Sequence, residues 1–226
     1  MSEADERPIE GEDELRAADG RMPGRRGLAT RQKLLEHTLS MLEASSYREL
    51  KVIDIAREAG TSPATFYQYF PDVESAILVL AQDAAHDGAV LTEIATAGPW
   101  KGPGGYDTAG RLVDAFFEFW DSHQSVMRVV DLATAQGDDR FRQIRVRLLN
   151  DIASSLAQVV RHFVSTKQLP DGLDPMAQAG VVVSMLAHVS DHQMGFEFWG
   201  IKTKNLRVSM ARQVYWTITG QKPPAP

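Results

Sequence analysis

The sequence predicts an all-α protein of about nine helices. Three observations carry that reading. Apolar residues recur at three- and four-residue spacings through most of the chain. No segment alternates with period two. The interruptions fall at Gly, Pro, Ser-Pro and Asp-Pro, the residues that start and stop helices.

Residues 1–29 are rich in Glu, Asp, Gly, Arg and Pro and hold almost nothing to bury, so they are expected to form a disordered arm. From Thr30 the pattern turns helical, with Leu34, Leu35, Thr38, Leu39, Met41 and Leu42 on one side up to Ser45-Ser46. A short second helix runs from Val52 to Ala59 and stops at Gly60. Ser62-Pro63 restarts a third, serine as cap and proline in the first turn. It ends near Phe70-Pro71. Asp72 then caps a fourth helix expected to run about 25 residues, to Ala97. The Gly/Pro-rich stretch from Gly98 to Gly105 divides the chain. Beyond it, helices are expected over 107–122, 124–135, 139–167, 174–199 and 203–219. The resulting division is an arm over 1–29, a small domain over 30–75, a larger one over 76–219, and a tail over 220–226.

Composition excludes several classes. With no cysteine there is no disulfide, thiolate metal site or cysteine nucleophile. The start, Met1 to Glu6, lacks the features of a secretory signal. The longest apolar stretch, Ala179 to Val189, is far shorter than the ~20 residues that span a bilayer. The chain is expected to be cytoplasmic. The net charge of -6 is unevenly spread: residues 1–20 carry two Arg and eight acids, whereas residues 21–69 carry eight Lys or Arg and five acids. The basic segment is the one with the two short helices around Gly60, as a surface facing phosphates requires.

That segment, Val52 to Phe70, has the pattern of a helix-turn-helix. Small residues, Ala56 and Ala59, sit where the helices approach. Ala64, Thr65 and Gln68 point away from the Ile55/Phe66/Phe70 core, free to enter a major groove. The run resembles the signature of the TetR family of transcriptional repressors, in which Ile-Ala, Ala-Gly, Ser, a small residue, Thr, an aliphatic or aromatic residue, Tyr and Phe follow in that order. The resemblance covers about residues 30–80.

The resemblance implies a DNA contact set of Arg25, Arg26, Lys51, Ser62, Pro63, Ala64, Thr65, Tyr67, Gln68 and Tyr69. The tyrosines reach phosphates and Ser62 to Thr65 meet base edges. With no arginine on the third helix, Gln68 is the one long amide, so the reader relies on phosphates and DNA shape. Three positions depart from the pattern: Ser46 where glycine usually precedes Tyr47, Leu50-Lys51 where Thr or Ser usually caps the second helix, and Val73-Glu74 where Lys-Glu is common. The basic arm, Arg21, Arg25 and Arg26, can make up for the missing lysine contact.

The second half resembles the family in helix number and order. The Phe70–Asp72 neighbourhood and the stretch Phe116 to His123 also resemble the branch of actinobacterial ethionamide-resistance regulators, which have a long apolar ligand tunnel. On that basis Phe116, Phe119, Trp120, Met127, Phe163, Met185, His188, His192 and Phe196 are candidate contacts for an apolar small-molecule effector, near further aromatics at Phe198, Trp199 and Trp216. A well-filled core explains the same residues. The family dimerises through its last two helices, which makes Gly180, Ser184, Ala187, Met210, Val214 and Ile218 candidates for a homodimer interface. It also implies that ligand moves the fourth helix, here a stiff rod from Asp72.

Other readings weigh less. His188 and His192 have metal-ligand spacing but no third ligand, so no metal is expected. Arg140, Arg142, Arg145 and Arg147 fit a solvated helix face better than a DNA surface. No phosphate loop, nucleophile elbow or Ser/His/Asp pattern occurs, so neither an enzyme nor a cofactor is expected. A constitutive DNA-binding or architectural dimer remains the alternative to a ligand-released repressor of a palindromic duplex operator.

Overall fold

The computed structural model describes residues 23–224. Among them are ten α-helices, one 3-10 turn and no strand: α1 Arg25–Ala44, the turn Tyr47–Glu49, α2 Val52–Glu58, α3 Pro63–Tyr69, α4 Val73–Asp87, α5 Ala89–Ala97, α6 Gly102–Ala135, α7 Asp139–Ser165, α8 Pro175–Asp191, α9 Gln193–Phe198 and α10 Thr203–Thr219. The all-α class is as expected. Two expected helices are each divided and two others are fused, so the number stays close to nine.

The chain forms two compact units, with the boundary between Asp83 and Ala84, inside α4. The expected boundary at residue 75 lies about two turns earlier. The N-terminal unit packs α1, α2, α3 and the start of α4 around Leu34, Leu35, Ile55, Ala56, Phe66, Phe70 and Ile77, all buried. α1 begins at Arg25 rather than Thr30, so residues 25–29 are helical and not part of an arm. Thr30 is inside the helix because Leu28 N–H already bonds the Gly24 carbonyl, and its own hydroxyl donates back to Arg26 O. Arg21 lies outside the described residues.

In the C-terminal unit, α7 packs mainly on α8, α10 packs mainly on α6, and α6 touches both α7 and α8. The caps follow the sequence. Asp174 accepts from Met176 N and Ala177 N before the Pro175 first turn. Gly220 closes α10 with φ +71°, and a Cβ there would lie 2.4 Å from Gln168 O.

Four expectations are corrected. The fourth helix breaks at Gly88 instead of running to Ala97. Glycine is a poor helix former, and at Gly88 a Cβ would lie 2.3 Å from Leu148 Cδ1 of α7, so a larger residue would have to displace that methyl. The break expected at His123 is absent: α6 is one helix of 34 residues, because no Gly or Pro interrupts it after Gly110 and core residues continue on both sides of that point. α6 also begins earlier, at Gly102, where Pro103 fits the first turn and Gly105 lies against the Trp100 backbone. Finally, the helix from Pro175 ends at Asp191, and a six-residue α9 precedes Gly200, whose φ is +82°.

Candidate nucleic-acid interface

The geometry of α2 and α3 is set by hydrogen bonds at the turn between them. Gly60 N–H donates to Arg57 O at 3.0 Å and Thr61 N–H to Ala56 O at 2.8 Å. This pair of reversed bonds is a Schellman close, and it needs the left-handed Gly60, φ +67°. A side chain there would cost roughly 1–2 kcal/mol. Ser62 then opens α3: its Oγ accepts from Thr65 N–H at 3.2 Å, with Pro63 in the first turn. The weaker cap expected for α2 is also found, since Lys51 makes no side-chain bond there.

Phe66 anchors α3, fully buried, with its ring 5.5 Å from Phe70 and edge-on to Tyr67 at 5.9 Å. With Phe66 held inward, helical spacing turns Ala64 and Gln68 outward, and these two are exposed together with Ser62, Pro63 and Tyr67. Tyr67 keeps 51% of its surface. Thr65 and Tyr69 are half-buried. The Thr65 hydroxyl lies 3.0 Å from that of Ser62, so the two act as one unit: when Thr65 donates, both lone pairs of Ser62 Oγ are filled and its own proton is left to donate outward. Tyr69 reaches α1, its hydroxyl 3.1 Å from where a Cβ on Gly27 would be.

Arg25 and Arg26 are exposed on the first turn of α1, and Lys51 is exposed before α2. The sequence departures have local reasons. Ser46 has φ -67° and ψ 137°, an extended conformation for which glycine is unnecessary. Glu74 accepts a hydrogen bond from the Tyr47 hydroxyl at 3.0 Å, tying the 3-10 turn to α4, and Asp72 caps that helix through Ser75 N–H at 2.7 Å. Arg31, which the sequence reading passed over, is buried with its guanidinium over the Phe70 ring at 5.2 Å.

The C-terminal candidates separate into two sets. Phe116, Phe119, Trp120, Met127 and Phe163 are buried; Phe116 and Trp120 stack at 5.6 Å with planes 11° apart. Met185 and Phe196 are half-buried, while His188 and His192 are exposed and stacked on each other at 4.2 Å. Three clefts of this unit bear on these candidates. Phe163 lines one of 420 Å3 beside Trp100 and His162; Phe119 lines another of 420 Å3 beside His123 and Asp87; a third of 620 Å3 runs between α6 and α10. The other seven candidates line none of these three.

At the expected dimer helices, Met210, Val214, Ile218 and Ala187 are buried within the protomer itself, Gly180 is half-buried and Ser184 is exposed. The outward faces carry other residues: Val181 is 69% exposed on α8, Trp216 58% on α10, and Phe198 90% and Trp199 72% at α9. The sequence signal was present, as apolar residues half a turn away from the core stripe. Arg140, Arg142 and Arg145 are occupied by Asp138, Asp139 and Asp131, as a solvated face would be. No group of three His, Asp or Glu among the described residues is placed to hold a metal, and no helix there is long and apolar enough to cross a membrane.

Comparison with known proteins gives these features a family. Residues 34–75 match the family described as bacterial regulatory proteins, tetR family, and residues 91–225 match the tetracyclin repressor-like C-terminal domain. A Haemophilus influenzae protein described as an uncharacterized HTH-type transcriptional regulator is 26% identical over 134 residues, covering 59% of this chain and 64% of that relative. A tetR-family regulator from Streptomyces coelicolor superposes with a TM-score of 0.59 at 19% identity, covering 85% of this chain and 80% of that one. FadR of Bacillus subtilis, solved in complex with stearoyl-CoA, does so at 0.58 and 14% identity, covering 83% of this chain and 97% of its own. The N-terminal match falls on the capped α2–turn–α3 geometry and the C-terminal match on more than half of the chain, and the chain belongs to the TetR family of bacterial regulatory proteins.

Proposed function

We propose that the chain is a homodimeric transcriptional repressor that binds a palindromic duplex operator and is released by an apolar small molecule held in its C-terminal unit. The observation that carries the DNA reading is α3: a helix fixed at its core by Phe66 and at its start by Ser62, with Pro63, Ala64, Tyr67 and Gln68 presented to solvent. Small side chains let the helix enter a major groove closely, while Tyr67, Lys51, Arg25 and Arg26 supply phosphate contacts from its margins. Exposed apolar side chains on the outward faces of α8, α9 and α10 support the homodimer. The stearoyl-CoA complex of the Bacillus subtilis relative supports an apolar effector.

In this reading α4, one helix of 15 residues that follows α3, carries the effect of the ligand to the helix-turn-helix. The rod is shorter than the sequence suggested, because Gly88 ends it. The ligand acts only if it prefers the form that does not bind DNA. A hundredfold loss of operator affinity needs about 2.7 kcal/mol of coupling.

The test is operator selection from random duplexes, followed by binding at several salt concentrations. Selected sites should be palindromes, and affinity should fall steeply with salt. Tyr67→Phe should weaken all sequences alike, whereas Thr65→Ala should change preference at particular base pairs. Equal losses on every sequence from both changes reject the division of roles. The filled core around Phe116 and Trp120 favours one other reading, a constitutive DNA-binding dimer. Apolar ligands that raise the melting temperature yet leave operator affinity unchanged would decide for it.

A further inference from the structure

The cleft of 420 Å3 between the α5–α6 connection and the C-terminal half of α7 combines a rigid apolar wall with an uncompensated positive rim. Trp100 forms one side. Its indole N–H donates to Ala95 O at 2.9 Å, and the Gly105 backbone lies so close that a Cβ there would be 2.4 Å from the Trp100 carbonyl carbon. The ring is therefore fixed before any ligand arrives. Val159 and buried Phe163 form the other side, and the His162 ring meets Phe163 edge-on at 5.5 Å.

The polar groups of the cleft are Lys101, Gln158 and His162, and no acid lines it. Lys101, the one Lys or Arg of the lining, has no ion-pair partner among the described residues. Lys101 is also the residue immediately before α6, so the positive end of a 34-residue helix adds to its charge. The volume falls in the range of small-molecule sites, towards the lower end. An uncharged hydrocarbon would leave the rim unanswered, and a cation would be repelled by it.

We propose that this cleft is a subsite for an apolar monocarboxylate, either aromatic or medium-chain. The hydrocarbon lies against Trp100, Val159 and Phe163, and the carboxylate pairs with the Lys101 ammonium and accepts a hydrogen bond from the Gln158 amide. This deepens the effector reading above by giving its ligand a place and a charge, while the binding itself is measurable without DNA.

The experiment compares octanoate, octan-1-ol and octylamine on the intact protein by calorimetry and tryptophan fluorescence. Octanoate should bind at least about fivefold more tightly than the other two, the size expected of one partly exposed ion pair. Val159→Trp fills the cleft and should abolish octanoate binding. Lys101→Glu, at an exposed position, should reverse the order so that octylamine binds better than octanoate. Trp100→Phe should lose the fluorescence change and weaken octanoate binding. Equal affinity for octanoate and octan-1-ol, or octanoate binding that survives Val159→Trp in a protein with an unchanged circular dichroism spectrum, overturns the proposal. Octanoate binding that leaves operator affinity unaltered supports the subsite and removes only its assignment as the effector site.

Discussion

The exposed face of α3 and the outward faces of α8 to α10 differ in what water does to them. α3 shows Ser62, Ala64, Tyr67 and Gln68, side chains that are small or end in a polar group. Such a surface stays hydrated when nothing is bound, and gives up that water to another polar surface at little net cost. The second surface shows Val181, Met194, Phe198, Trp199 and Trp216. These side chains gain free energy whenever they leave water, at roughly 25 cal/mol per Å2. The first surface suits a partner that comes and goes. The second suits one that remains.

Phe66→Ala is the largest way to break that contrast. Phe66 is fully buried at the centre of the N-terminal unit, so truncation should cost about 3–5 kcal/mol. A unit this small has little stability to spare. Operator binding should disappear, while the C-terminal unit keeps its helical signal and its dimer. Loss of the dimer as well would show that the two surfaces are not independent. Next in size is charge on the apolar face. Val181→Glu combined with Trp216→Glu should weaken self-association by about a hundredfold, ~2.7 kcal/mol, read by sedimentation equilibrium. The individual protomer should remain folded, because both side chains are mostly exposed. Val214→Glu is not an equivalent test: Val214 is fully buried, and a charge there unfolds the protomer instead.

The same contrast accounts for what could be read from the sequence. Ser62, Asp72, Asp174 and Gly220 act on the backbone within a few residues, so residue type and neighbours suffice to place α3, α4, α8 and the end of α10. Gly88 was not readable as a break because a lone glycine inside an apolar helical pattern is often tolerated, and its packing partner Leu148 is sixty residues away. Val214 and Trp216 are both apolar residues of α10, yet one is buried and the other exposed. Periodicity finds an apolar stripe, but which stripe meets its own protomer depends on where α6 and α8 lie. The exposed residues of α3 were legible because one short, strongly constrained motif fixes them. The cleft at Trp100 was not, because Lys101 and His162 come together only through the packing of α7.

Removing the α3 cap sharpens the comparison on a smaller scale. Ser62→Ala deletes the acceptor for Thr65 N–H and should cost about 1 kcal/mol of the N-terminal unit's stability. It also frees the Thr65 hydroxyl from its neighbour at 3.0 Å. Operator affinity should therefore drop with some change in base preference, whereas Ser62→Asp should restore the stability and not the affinity, since a carboxylate caps the helix but repels phosphate. Restored affinity with Ser62→Asp would place this residue away from the DNA.

The smallest effect concerns His123 of α6, whose Nε2 lies 3.5 Å from Asp87 Oδ2 at the end of α4. Burial lowers its pKa below the usual 6.5, and attraction to Asp87 opposes this without cancelling it. The folded protein thus holds this proton less tightly than the unfolded chain does. Above pH 6.5 neither state binds it, and the stabilisation is complete. As pH falls below 6.5 the unfolded chain takes up the proton first, and stability declines until the folded histidine is also protonated. Urea unfolding at pH 7 and pH 5 should therefore show a larger loss for the wild type than for His123→Gln, which cannot titrate. A larger loss in the variant would mean that the Asp87 ion pair outweighs burial, and that acid strengthens the junction between α4 and α6 instead of weakening it.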